Sequence, residues 1–258
     1  MSEIHESAVI DSGASIGENV TIGPNAVIEG DVSIGDDCSI GPNAVVMRYT
    51  TLGSGCAVHP GAIIADIPQD RDFTGEESYV KVGANCVIRE GVTIHRGTKK
   101  GTTTELGDDC FLMAFSHCAH NVKLGKDVTL ANGVLLGGYV EVGDGAFLSG
   151  NAMVHQFVRI GRLAMMGGGS GATQDVLPFM TLKPYTLSTL IGPNTVGLRR
   201  AGIGPEARKE IKKAFSLLCR SELSQADAVR EIRETLTSLE AGEMCDFVEG
   251  SERGYCRT

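Results

Sequence analysis

The segment "FSHCAHNV", residues 115–122, holds two of the six histidines in the chain, His117 and His120, three residues apart. Two close imidazoles can ligate a metal, pair as a catalytic base with a substrate-contacting neighbour, or serve as ordinary polar residues. His95 and His155 lie in the flanking stretches, whereas His5 and His59 stand early in the chain. The choice between these chemistries depends on the backbone that carries the residues.

That backbone repeats every six residues. Ile10 opens a register that runs through Ile16, Ile22, Ile28, Ile34, Ile40, Val46, Leu52, Val58 and Ile64. It returns at Val82, Ile88 and Ile94, then runs from Leu106 to Met166, passing Cys118. Of these 24 positions 22 are Leu, Ile or Val, so the period is structural and not accidental. Four residues after each aliphatic comes a small side chain, such as Ala14, Ala26, Cys38, Ala44, Cys56 and Ala62. Glycine often follows the aliphatic directly (Gly17, Gly35, Gly53, Gly125, Gly143), which reads as a turn residue at positive φ. A six-residue period is the signature of a parallel β-helix, with three hexapeptides to a coil and coils about 4.8 Å apart.

Two polar stretches, 66–79 and 96–105, lack the aliphatic and read as loops thrown out from about nine or ten coils. The period fades after Gly171. Helical spacing follows Pro205, with Ile211, Ala214, Phe215 and Leu218 on one face. A second amphipathic stretch after Ser224 carries Val229, Ile232, Leu236 and Leu239, and a short last one carries Met244, Phe247 and Val248. The expected organisation is a β-helix over 1–190 and a small helical domain over 191–258.

Composition agrees. Aromatics are 5% of the 258 residues and tryptophan is absent, as suits a core built from a repeated aliphatic column. A net charge of −9 argues against nucleic acid as a partner. No apolar run is long enough for a membrane span, and "MSEIHESAVI" has no secretory pattern, so a cytoplasmic protein is expected. None of the eight cysteines has zinc-finger spacing; reduced thiols are expected, with Cys38, Cys56, Cys86 and Cys110 in the small-residue column.

An 18-residue coil stacks residues 18 apart. His120, Gly138 and Gln156 then form one vertical line, with His117 and His155 beside it. Cys118 takes an inward position, so His117 and His120 flank it facing outward. Glycine in that line leaves a backbone N–H open to a bound oxygen, as an oxyanion hole requires.

The chain resembles the UDP-N-acetylglucosamine O-acyltransferases, the acyl-carrier-protein-dependent enzymes that open lipid A synthesis. The matching motifs are "IPQD" (67–70), "VTIHRGT" (92–98), "HCAHN" (117–121), "MVHQF" (153–157), "GGGSGATQDV" (167–176), "NTVGLRRAG" (194–202) and "SERG" (251–254). The resemblance implies a homotrimer of left-handed β-helices with sites between subunits. It implies that His120 is the general base on the glucosamine 3-hydroxyl and that the Gly138 N–H holds the oxyanion. Asp70, His95, His117, His155 and Gln156 would contact substrate, Asn194 and Arg200 would lie toward the nucleotide or carrier, and Gly168 would stand at the position that limits acyl length, leaving room for a longer chain. No metal or bound cofactor is implied, because the acyl group arrives on the phosphopantetheine of acyl carrier protein. That carrier is acidic, and Lys183, Arg199, Arg200, Arg208, Lys209, Lys212 and Lys213 are candidates to meet it. Asp72, Tyr139, Val196 and Ala201 depart from common family residues, which leaves a UDP-3-amino sugar open as acceptor. The rival readings are a zinc site from His95, His117 and His120, a CoA-dependent acetyltransferase, and an inert scaffold.

Overall fold

The computed structural model describes residues 2–258. Short strands gather into three sheets of eleven, nine and eight strands. Through most of the chain each strand pairs in parallel with the one three strands further on, so the backbone winds as a parallel β-helix, and its hand is left. In the second sheet Ile63 lies opposite Thr93, Thr93 opposite His117, His117 opposite Leu135 and Leu135 opposite Met153. The last two steps are 18 residues. The two longer ones absorb the excursions, which are shorter than the polar stretches suggest: Tyr79–Val82 and Thr103–Leu106 are already strands.

Inward aliphatics are fully buried from Ile22 through Met166, and the small column, including the four stacked cysteines, is buried with them. Each buried Val, Leu or Ile stabilises the fold by roughly 1.5–3 kcal/mol relative to leaving it exposed. The thiols of Cys38, Cys56, Cys86 and Cys110 each donate to a glycine carbonyl of the next coil, at 3.1–3.2 Å. All eight cysteines are free.

One expectation about the turns is overturned. The glycines that follow the aliphatics are not at positive φ. That conformation falls two residues later, at Asn19, Asn25, Asp31, Asp37 and Asn43, with φ of 55–57°. Asn and Asp tolerate it because their short side chains bond the local backbone. The glycines serve close packing instead. A β-carbon at Gly53 would sit 2.6 Å from the Gly83 carbonyl carbon and 2.7 Å from Ala84 N, in the coil above.

The helical part begins with α1 (Thr195–Arg200), which the sequence reading did not anticipate, and continues with α2 (Pro205–Cys219). In α2 Pro205 is in the first turn, and Ile211, Ala214, Phe215 and Leu218 are the buried face, as their spacing requires. The next helix, α3 (Gln225–Thr235), is capped by Ser224, whose hydroxyl accepts from the Asp227 N–H. It ends before Leu236, which turns extended, and Leu239 is not on its buried face. Leu239 instead opens α4 (Leu239–Glu249) and is 88% exposed. The helices are fastened to the coils by charge: Arg159 bonds Asp175 at 3.0 Å and the Phe247 carbonyl at 2.7 Å, and Arg162 pairs with Glu243 at 2.8 Å.

Candidate active site

His117 sits on the strand His117–Cys118 of the second sheet, with Cys118 wholly inside the core. Two residues on, the chain turns the corner toward the third sheet, and His120 lies on that turn. The coil register stacks His120 beneath Gly138 and Gly138 beneath Gln156: the Tyr139 N–H bonds the His120 carbonyl and the Phe157 N–H bonds the Gly138 carbonyl. The imidazole of His120 packs directly on Gly138. A β-carbon there would meet its Cε1 at 2.3 Å and its Nε2 at 2.6 Å.

The protonation of His120 follows from its neighbour. Asn121 Oδ1 accepts from the Thr98 backbone N–H at 3.1 Å, and an N–H can only donate, so this atom is the amide oxygen. The same oxygen lies 3.1 Å from His120 Nδ1. Nδ1 is therefore the donor, and in the neutral ring the free lone pair is on Nε2. Asn121 is itself held by its own N–H to Thr104 Oγ1 at 2.7 Å, and the Thr98 hydroxyl also meets Tyr139 OH at 3.0 Å. Tyr139 stacks on Phe157 with ring centres 4.9 Å apart and packs edge-on against His120. Both rings sit at positive φ, 60° and 65°, where bulky residues are strained and persist only when their surroundings fix them.

The Gly138 N–H has no hydrogen-bond partner among the described residues. At the equivalent turn position of three other hexapeptides the N–H holds a carboxylate of the next coil: Glu18 N to Asp36, Ala84 N to Asp108 and Lys126 N to Asp144, at 2.8–3.0 Å. The fold thus uses this N–H to bind anionic oxygen, and above Gly138 the next residue in line is Gln156, which leaves it unclaimed.

His117 is an uncharged neighbour. Burial first, then repulsion from His95 and His120, holds its pKa down to about 4. Its Nδ1 lies 2.7 Å from Thr93 Oγ1. His95 is buried rather than open, packs edge-on against His117 at 4.9 Å and leaves its Nδ1 without a partner. Burial lowers its pKa also.

A groove of about 650 Å³ runs from this cluster along the second sheet, lined by Gln69, His117, Leu135, Met153, His155 and Leu187. It is largely apolar. Across the corner, a cavity of about 710 Å³ is bounded by Asn121, Tyr139, Phe157, Arg159 and Arg253. His155 and Gln156 are exposed between the two, with Arg253 3.4 Å from His155 Nδ1.

The remaining expected residues are placed elsewhere in the single chain, and none lines either space. Asp70 lies in the excursion 67–78, where its carboxylate accepts from the Asp72 N–H. Asn194 caps α1 through the Gly197 N–H and donates to the Leu163 carbonyl at 3.0 Å. Arg200 is exposed in the last turn of α1. Gly168 stands on the turn before the strand Gly171–Ala172, with the Gly150 carbonyl 3.6 Å from its β position. Among the described residues no group of three His, Cys, Asp or Glu side chains is arranged to hold a metal ion, and no helix is long and apolar enough to cross a membrane. The sequence reading missed Asn121 and Thr98. Asn121 falls at a turn position where asparagine is ordinary, so its type gave no chemical signal.

Comparison with known proteins agrees with this architecture. Residues 175–256 match the family model "Udp N-acetylglucosamine O-acyltransferase; Domain 2". Residues 13–48 and 31–66 match bacterial transferase hexapeptide repeats. The chain is 48% identical over 261 positions to an acyl-[acyl-carrier-protein]–UDP-N-acetylglucosamine O-acyltransferase of Alkalilimnicola ehrlichii, with all of both chains covered. It is 45% identical to the protein of that name from Paraburkholderia phymatum, again with both chains covered in full. Among solved structures it superposes on a UDP-N-acetylglucosamine acyltransferase from Bacteroides fragilis with a TM-score of 0.94 at 36% identity, covering 98% of this chain and 99% of that one. The Campylobacter jejuni structure gives 0.92 at 34%, covering 99% and 100%.

Proposed function

The chain belongs to the UDP-N-acetylglucosamine O-acyltransferase family and is an acyltransferase; from that premise we propose that it moves a (3-hydroxy)acyl chain from acyl carrier protein to the glucosamine 3-position of UDP-N-acetylglucosamine, the first step of lipid A synthesis. The observation that carries the mechanism is the His120 Nδ1–Asn121 Oδ1 bond, which frees Nε2 against Gly138. Nε2 takes the proton of the sugar hydroxyl as its oxygen attacks the thioester carbon. The carbonyl oxygen becomes an oxyanion at the Gly138 N–H. Collapse breaks the carbon–sulfur bond, and the phosphopantetheine thiolate leaves with the proton held by His120. His117, uncharged at neutral pH, contacts substrate without competing as a second cation. The apolar groove past Leu135 and Met153 accepts the acyl chain.

Copies of the chain complete the site in this reading. The outward column of the second sheet runs Val9, Val27, Val45 and Ile63, then Leu135, Met153 and Leu187, whereas that of the third carries Lys81, Glu105, Lys123, Glu141 and Arg159. Packing the early part of the apolar column, Val9 to Ile63, between the three subunits of a homotrimer would leave the groove at Leu135, Met153 and Leu187 beside a neighbouring subunit, where Gly168, Asn194 and Arg200 of that neighbour would complete it.

The test is mass spectrometry of products from a panel of acyl carrier proteins with UDP-N-acetylglucosamine and its 3-amino analogue. A 3-O-acyl sugar nucleotide with one equivalent of free carrier thiol is expected. Preferred turnover of the amino sugar moves the acceptor to an amine, and preferred use of acetyl-CoA moves the donor. No product from any pair contradicts the proposal.

A further inference from the structure

Arg96 is buried, at 7% exposed, yet it has no ion pair and no side-chain hydrogen bond among the described residues, and its Nε is unpartnered. Its guanidinium lies 5.6 Å from the ring centre of Tyr49 and 5.4 Å from that of Phe73. Tyr49 belongs to the coil beneath and packs edge-on against Tyr79, where the excursion 67–78 rejoins the coil. Phe73 is the middle of that excursion. The cation therefore joins the loop to the rigid coil through two ring faces, an interaction that strengthens when water is excluded.

Two regions of the site border what Arg96 holds, and only the upstream one is held by it. Upstream, the excursion carries Gln69, which lines the apolar groove beside His117, and Asp70. Downstream, Arg96 is two residues from Thr98, which fixes the Asn121 amide and through it His120. The two loops are further tied by Ser78 Oγ to the Gly97 carbonyl at 2.6 Å and by the Gly101 N–H to the Glu77 carbonyl at 2.9 Å. We propose that Arg96 is a positioning residue, a cation pinned between Tyr49 and Phe73 that holds the loop 67–78 against the acyltransferase site. It rests on the site reading given above only for where the loop acts, not for whether the loop is pinned.

Arg71 is exposed in the same loop and offers trypsin a cleavage site whose rate reports loop release. The experiment compares wild type with Phe73→Ala, Arg96→Met and Arg96→Lys by limited trypsin cleavage after Arg71, by thermal melting, and by steady-state kinetics with acyl carrier protein and sugar nucleotide. Phe73→Ala and Arg96→Met should each speed cleavage about tenfold and raise the acceptor KM about tenfold, with kcat within about twofold and the melting temperature held. Arg96→Lys keeps the charge but loses the planar stack, so it should fall between them and wild type. Wild-type cleavage rates in both Phe73→Ala and Arg96→Met overturn the pin. So does a raised KM with unchanged cleavage, which would make Arg96 a direct ligand of substrate. If no protein, wild type included, forms product, the site reading fails while the cleavage rates still decide the pin.

Discussion

At the scale of single residues, the chemistry of His120 is set by an uncharged amide. Asn121 can accept the Nδ1 proton but offers no negative charge to an imidazolium. Removing it in Asn121→Ala frees the ring to take the other tautomer, so kcat should fall about 10–100-fold with KM little changed. Stopped assays at saturating substrate check this; an unchanged kcat would mean that the tautomer is fixed by something else. His117 gives a prediction in pH. Its folded pKa, about 4, is below the ordinary histidine value of 6.5, so the unfolded chain binds more protons between those limits. Stability is therefore whole above pH 6.5 and declines as the pH falls toward 4, by roughly 2 kcal/mol from this residue. Denaturant melts across that range should show the loss, and His117→Gln should reduce it, leaving the part that the buried His95 contributes. An undiminished slope after the substitution would assign it to other groups.

At the scale of elements, two kinds of glycine look alike in sequence and differ in what they tolerate. Gly53 faces the backbone of the coil above, and Gly61 lies at positive φ with nothing within 4 Å of where a β-carbon would stand. Gly53→Ala should cost about 2 kcal/mol or more by forcing coils apart. Gly61→Asn should stay within about 0.5 kcal/mol, because asparagine holds the same position at Asn25 and Asn43. Equal melting points for the two variants would refute the distinction. The inward column was readable from Ile10 to Met166 because a buried position recurring on each coil selects aliphatics at 22 of 24 places. The glycines were misread because the composition of a turn does not say which residue bends and which one merely makes room. Leu239 was misassigned for a similar reason: helical spacing continues across the break at Leu236, and only the extended backbone there ends α3.

At the scale of the whole molecule, the line His120, Gly138, Gln156 followed from an 18-residue coil, so the stacking of His120 on Gly138 was legible in the sequence alone. His95 was named from its motif, but its burial was not legible, since that depends on packing under His117 across coils of unequal length. Nor was Asn121, whose role comes from Thr98 near the start of the second excursion, 23 residues earlier. The homotrimer is tested by sedimentation equilibrium, which should give three times the chain mass, with Val45→Glu in the apolar column shifting it to single chains; a monomeric wild type would leave Gly168, Asn194 and Arg200 without a site. The most direct test of the whole account is single-turnover acyl transfer from acyl carrier protein to UDP-N-acetylglucosamine by wild type and His120→Ala. The account predicts a rate lower by about 10²–10⁴-fold in the variant, with fold and assembly intact; transfer at the wild-type rate without the His120 imidazole would contradict it.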